Sequence, residues 1–257
     1  MTDSTGVAGK FVAAARTLLD RLEAQTDAVD AAARICADAI AAGGLVHAFG
    51  TGHSRIPVEE LFPRYGSYPG FNPLVELSMT FHTQVVGANG QRQAMFIERV
   101  SGLAETILAN FDLGPPDAMI VFSHGGTTAV PIEMAAGARR RGLAVVAVTS
   151  LAHARAVEGD GPRLSDHADI VLDLATPPGD ALVAVEGADT PVAPGSSLAA
   201  IALANELKAR TAALLAARGA LPPVLTSPVL VGRERSARLF DDVYAEHARR
   251  LARVLRR

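Results

Sequence analysis

Two short segments of the chain combine glycine with hydroxyl and imidazole side chains where an anion could be held. Gly50-Thr51-Gly52-His53-Ser54 follows an apolar run, and Pro57 opens a helical pattern behind it. Glycines let the backbone turn sharply and come close to a ligand, and a helix N-terminus offers unpaired N–H groups. Gly52 and Ser54 are therefore candidate anion contacts, Ser54 with the alternative of simply capping the helix. The second segment, Ser123-His124-Gly125-Gly126-Thr127-Thr128, also follows an apolar run, and its small and hydroxyl-bearing residues suit a concavity of main-chain donors. Thr149 and Ser150 end a third run in the same manner.

Either loop alone reads as a capped turn. Two of them after separate strands of one parallel sheet point to a shared crevice outside the carboxyl ends of the strands. The first loop lacks the third glycine of a dinucleotide fingerprint, and no acidic residue ends a nearby second strand. It also lacks the Gly-Lys-Ser/Thr of a P-loop. No cofactor is expected.

Proton-transfer groups lie close by. Glu60 and Arg64, four residues apart, share a helix face, with Glu60 as a candidate base and Arg64 as an anion contact. The plain alternative is a solvated ion pair contributing about 0.3–0.5 kcal/mol, and spacing alone favours it. His53 sits in an exposed loop where an imidazole can titrate near neutral pH, and packing on the ligand without proton transfer fits it equally well. Taken alone, Glu76 and His82 read as surface residues. His124 lies in the second glycine loop. The seven histidines show no H-x-x-x-H or H-E-x-x-H pairing and Cys36 is the only cysteine, so no metal is expected.

These residues need a scaffold. Four apolar runs are short enough to be buried strands, at Leu45–Phe49, Ala118–Phe122, Leu143–Val148 and Ile170–Leu174, and a weaker one lies near Asn72–Leu77. Helical spacing covers Lys10–Leu22, Asp27–Ala42, Pro57–Arg64, Ala94–Phe111, Val130–Arg141, Ser197–Arg218 and Glu234 to the end. Strand, small-residue turn and helix in repetition predict an α/β fold with a parallel sheet covered on both faces. Pro177–Gly195 is weakly patterned and reads as an excursion over the ligand face or toward a partner subunit. The C-terminal helix is amphipathic through Leu239, Val243, His247, Leu251 and Val254, a stripe for core or oligomer interface. Its arginines (Arg249, Arg250, Arg253, Arg256, Arg257) read as solvated or as favouring the helix C-terminus.

With 257 residues, the chain can bury a large core without disulfides or metals. A net charge of -3 and the lack of a dense basic block exclude nucleic acid as the main partner. No run is long and apolar enough to span a bilayer, and Met1–Gly9 has no basic-then-apolar leader pattern, so a soluble, cytoplasmic location is expected. Cys36, in an apolar helical stretch, reads as a small buried hydrophobe, and a lone cysteine fits a reducing compartment.

Taken together, HAFGTGHS, EELF at Glu59–Phe62, VFSHGG, VPIEMA from Val130 and AVTS from Ala147 resemble the sugar isomerase (SIS) domain, in particular the bacterial single-SIS phosphosugar isomerase-like family. NPLVELS from Asn72 and PPVLTSPVL from Pro222 are further echoes. The resemblance covers nearly the whole chain, and the combination is specific although each piece is not. It implies one domain over 1–257, a three-layer α-β-α sandwich of flavodoxin-like type with a five-stranded parallel sheet. Around a core of about 35–217 it would carry an N-terminal helical arm over 10–42 and a C-terminal helix over 234–256. It further implies a homodimer or homotetramer whose phosphosugar site lies near a subunit interface.

The resemblance also implies an aldose–ketose isomerase with Glu60, His53 or His82 moving protons, and phosphate held by Ser54, Ser123, Thr127 and Thr128. For His124, where the family often carries Asn, it implies hydrogen bonding rather than catalysis. A non-catalytic phosphosugar sensor and a phosphosugar lyase or etherase are the alternatives. No helix-turn-helix accompanies the domain, which speaks against a one-chain transcription regulator. In one departure, Gly125 stands where the family usually has the second serine of S-x-S-G-x-T. That change removes a hydroxyl but leaves main-chain donors and adds weight to the sensor reading.

Overall fold

The computed structural model describes residues 7–80 and 90–255. Two helices lead in, α1 (Lys10–Glu23) and α2 (Thr26–Ala41), followed by β1 (Val46–Gly50) and α3 (Arg55–Leu61). Next come β2 (Phe71–Leu74), α4 (Leu77–Thr80), α5 (Gly90–Ile97) and α6 (Leu103–Leu108). Alternation then sets in, with β3 (Ala118–Phe122), α7 (Ala129–Arg140), β4 (Ala144–Thr149), α8 (Leu151–Ala156) and β5 (Ile170–Asp173). A hairpin of β6 (Ala181–Val183) and β7 (Val192–Pro194) precedes α9 (Ser196–Ala217), α10 (Pro228–Val231) and α11 (Arg233–Val254).

The main sheet has five parallel strands in the order β2-β1-β3-β4-β5. Its strands are apolar on both faces because both faces are covered, and alternate residues serve opposite layers. Val46, Ala48, Ile120 and Phe122 pack against α1, α2 and α9. Leu45, Phe49, Met119 and Val121 pack with residues of α6, α7 and α11 on the other side. Cys36 is fully buried in the first of these layers.

Some expectations from the sequence change at this level. The single helix expected over Ala94–Phe111 is two, α5 and α6, broken at Ser101–Gly102, where Glu133 of α7 accepts from the Gly102 N–H at 2.7 Å. The Pro177–Gly195 excursion contains the antiparallel β6–β7 pair. Not all of the C-terminal arginines are solvated. Arg250 is buried and donates from Nη1 to the carbonyls of Ile40 (2.9 Å) and Gly44 (2.8 Å), closing the C-terminus of α2 with a cation. Arg253 meets Asp117, which also accepts from the Leu45 N–H at 2.8 Å and so aligns the start of β3 with β1.

Candidate functional site

β1 is the switch point of the sheet, with β2 on one side and β3 on the other. Gly50, its last residue, pairs with Phe122, the last of β3, so the following loops start side by side. A Cβ at Gly50 would lie 2.3 Å from the Ser54 carbonyl oxygen; only glycine lets the chain fold back this tightly. The next residues make one tight turn, Gly52–Ser54, before α3.

The loop after β3 is locked from several directions. Ser123 Oγ accepts from the Gly126 N–H at 3.2 Å, and the Gly126 carbonyl accepts from the Leu164 N–H at 2.8 Å. The His124 carbonyl accepts from the Ser150 N–H (2.9 Å) and from Thr149 Oγ1 (3.2 Å). Gly126 has φ +61°, and a Cβ there would meet Thr149 Oγ1 at 2.6 Å. Thr128 caps α7 without a side-chain bond to it.

Both loops line one cavity of about 490 Å³, the size of a small-molecule site. Thr51, Gly52, His53 and Ser54 form one wall, and Ser123, His124, Gly125, Gly126, Thr127 and Thr128 another. Glu98 and Arg99 just after α5, His153 of α8, Asp180 and Pro194 at the hairpin, and Ser196 and Ser197 of α9 also line it, together with apolar residues such as Met95, Phe122 and Leu174. The excursion at Pro177–Gly195 thus borders the cavity through Asp180 and Pro194.

Other expected site residues fall elsewhere. Glu60 and Arg64 pair at 2.8 Å, but not on one helix face as expected: α3 ends at Leu61, Phe62 is extended, and Arg64 reaches back from beyond the helix. Neither residue lines this cavity. The Glu60 side chain turns toward α9, where Asn205 Nδ2 reaches Glu60 Oε1 at 3.3 Å. Lys208 Nζ donates to the Glu60 carbonyl and to Ser67 Oγ, both at 2.7 Å. Helical periodicity over Pro57–Arg64 neither foresees the break after Leu61 nor says which neighbour Glu60 meets. Ser150 is also off the cavity surface. Buried, it accepts from the His153 N–H at 3.2 Å to cap α8 and donates to the Thr176 carbonyl at 2.8 Å. Glu76 accepts from Ser78 Oγ at 2.9 Å at the start of α4. His82 lies outside the described residues.

The structure adds groups with no motif to announce them. Glu98 Oε2 accepts from Thr51 Oγ1 at 2.7 Å, and the Glu98 carbonyl accepts from the Val130 N–H at 3.0 Å. The carboxylate is thereby fixed between the two loops. His124 and His153 lie with ring centroids 4.5 Å apart. His124 Nε2 stands 3.1 Å from Thr176 Oγ1 and 3.7 Å from Asp180 Oδ1. Burial holds the His124 imidazole below its ordinary value; Asp180 pulls it up and His153 pushes it down. Asp180, at φ +71°, accepts from Ser196 through its N–H (2.8 Å) and Oγ (2.6 Å), anchoring the start of α9 beside the cavity. Asp180 lies within the weakly patterned excursion, and His153 follows Ser150 by one helical turn, so position relative to the sheet was the only available signal for either. Among the described residues, no group of three or more His, Cys, Asp or Glu side chains is arranged to hold a metal ion, and no helix is long and apolar enough to cross a membrane.

A family profile described as "SIS domain" matches residues 10–150. A UPF0309 protein of Streptomyces coelicolor is 36% identical over 241 residues, covering 91% of this chain and 94% of the relative. A UPF0309 protein of Geobacillus kaustophilus is 30% identical over 228 residues, covering 88% of each. In fold, the chain is similar to a phosphoheptose isomerase from Francisella tularensis, with TM-score 0.51 and 15% identity over 82% of this chain and 98% of the other.

Proposed function

Because the chain belongs to the SIS domain family, we propose that it binds a phosphorylated sugar in the cavity between the β1 and β3 loops and isomerises it between aldose and ketose. The observation that carries this reading is that both loops line a single cavity. The phosphate sits on the β3 loop, against Ser123, Thr127, Thr128 and the main-chain donors at the start of α7, where the helix dipole favours a dianion. The sugar extends toward Gly52, His53 and Ser54.

Aldose–ketose exchange needs a base to take the proton beside the carbonyl and return it to the neighbouring carbon, and a group that moves a proton between the two oxygens. Glu98 is the carboxylate placed for the first task, already held by Thr51. His53, exposed on the facing wall, suits the second. In an oligomer the open side of this cavity would meet a neighbouring subunit.

Turnover of a panel of pentose, hexose, hexosamine and heptose phosphates tests the proposal, with products identified by NMR in deuterated water. Deuterium at the carbon next to the carbonyl marks isomerisation, whereas an unsaturated product marks elimination. The alternative, a sensor that binds without converting, is favoured by one observation: Glu60, the carboxylate expected as base, is outside the cavity. Saturable binding of a sugar phosphate with no turnover of any panel member would replace the isomerase with the sensor.

A further inference from the structure

Resting on the reading of this cavity as a phosphosugar site, we infer that His153 is a ligand-binding residue, donating from Nε2 to the phosphate at the bare side of the β3 loop. Gly125 leaves that side of the loop without a side chain. A Cβ at Gly125 would lie 3.5 Å from both Cδ2 and Nε2 of His153, so the imidazole edge covers the place from which a residue-125 side chain would project. His153 and Gly125 both line the cavity.

The ring is fixed for donation. The Gly179 N–H donates to His153 Nδ1 at 3.1 Å, so Nδ1 carries no proton and the ring proton sits on Nε2, the nitrogen beside Gly125. The His153 main chain is set as well, its N–H donating to Ser150 Oγ at 3.2 Å in the first turn of α8. His124 lies beside the ring, with centroids 4.5 Å apart, and is itself 3.7 Å from Asp180 through its Nε2. Asp180 is engaged by the N–H groups of Gly195 and Ser196 and by Ser196 Oγ. The specificity of the loop is therefore shared between the segments that follow two neighbouring strands: the loop after β3 supplies small residues and main-chain donors, and α8, after β4, supplies the directional side chain.

The two nitrogens separate the ligand role from the structural one. Asparagine at 153 keeps an acceptor near the Nδ1 position for Gly179 but has nothing at Nε2. Glutamine reaches the Nε2 position with a donor. Binding of inorganic phosphate and of fructose 6-phosphate is measured by calorimetry, alongside thermal melts of the unliganded proteins. His153→Asn is expected to weaken binding by about tenfold or more, the loss of one hydrogen bond to a charged group, with an unchanged melting temperature. His153→Gln is expected to stay within about threefold of the wild type. Wild-type affinity in His153→Asn, or equal weakening in both variants, overturns this assignment alone. A wild-type chain that binds neither probe and no other sugar phosphate of the panel overturns the phosphosugar reading and this inference with it.

Discussion

Thr51 Oγ1 donates to Glu98 Oε2 across 2.7 Å, joining the loop after β1 to the chain just after α5 on the wall of the cavity. A carboxylate held this way does not have to be ordered when substrate arrives, which is the requirement for a base that must meet a carbon-bound proton. Glu98→Gln is expected to lower kcat by about a hundredfold or more while leaving the affinity for a sugar phosphate within a few-fold. Glu60→Gln, altering the carboxylate that faces α9, should cost far less turnover. Steady-state kinetics and calorimetry on both variants check this, and an equal loss at the two positions would return the base to Glu60.

Gly126 tests the geometry of the β3 loop. Its φ of +61° is strained for any residue with a Cβ, and an alanine methyl would approach Thr149 Oγ1 to 2.6 Å, where β4 cannot easily give way. Gly126→Ala should therefore destabilise the fold by about 1–3 kcal/mol and displace the donors around Ser123 enough to abolish phosphate binding. Urea unfolding and calorimetry are the measurements. An alanine variant with wild-type stability and affinity would mean that the loop is not the rigid cradle described here.

Most of the sheet was legible in the sequence because β1, β3 and β4 are short apolar runs leading into a Gly, Ser or Thr, whereas β2 (Phe71–Leu74), with Asn and Pro inside it, stood out only weakly. Both loops were legible because glycine and hydroxyl residues cluster there for a steric reason. Gly50 shows this well: its fold-back to Ser54 leaves no room for a Cβ, so the turn was written in the residue type. The rest of the site was less legible. Glu98 lies in a segment whose apolar spacing continues across the break at Ser101–Gly102, and that break depends on Glu133 of α7, distant in sequence. His153 and Asp180 acquire their roles only when β4 and the hairpin are brought to one edge. Glu60 and Arg64 illustrate the converse: a spacing of four suggested one helix face, but α3 stops at Leu61, the two pair across the helix end, and what Glu60 meets depends on the packing of α9.

Cys36 lies fully buried among α2, α9 and the sheet, and burial pushes its thiol up to about 12, with a Thr211 contact acting weakly the other way. Only the thiolate reacts readily with disulfide reagents, so the native protein should show no fast thiol, and one equivalent should appear only on unfolding. Ellman titration with and without urea checks this. Rapid native labelling would show that the α2–α9 interface opens far more often than its packing implies.

Lys208 gives the fold a pH dependence of predictable sign. Its ammonium is buried between α9 and the end of α3, donating to the Glu60 carbonyl and Ser67 Oγ. Burial lowers it from 10.5 to about 8, with Glu60 opposing and Arg64 assisting. An unfolded lysine titrates near 10.4, so between pH 8 and that value the unfolded chain holds a proton that the folded chain has lost. Stability from this group therefore rises with pH across that window, by at most about 3 kcal/mol. Below about pH 8 both states are protonated and the cost of the buried charge is constant. Lys208→Met removes the titration, so the stability difference between wild type and variant should be flat from pH 6 to about 8 and then move in favour of the wild type up to pH 10. Urea unfolding at each pH measures it. A difference that stays flat through pH 10 would mean that the folded lysine keeps its proton, its two acceptors outweighing the loss of water.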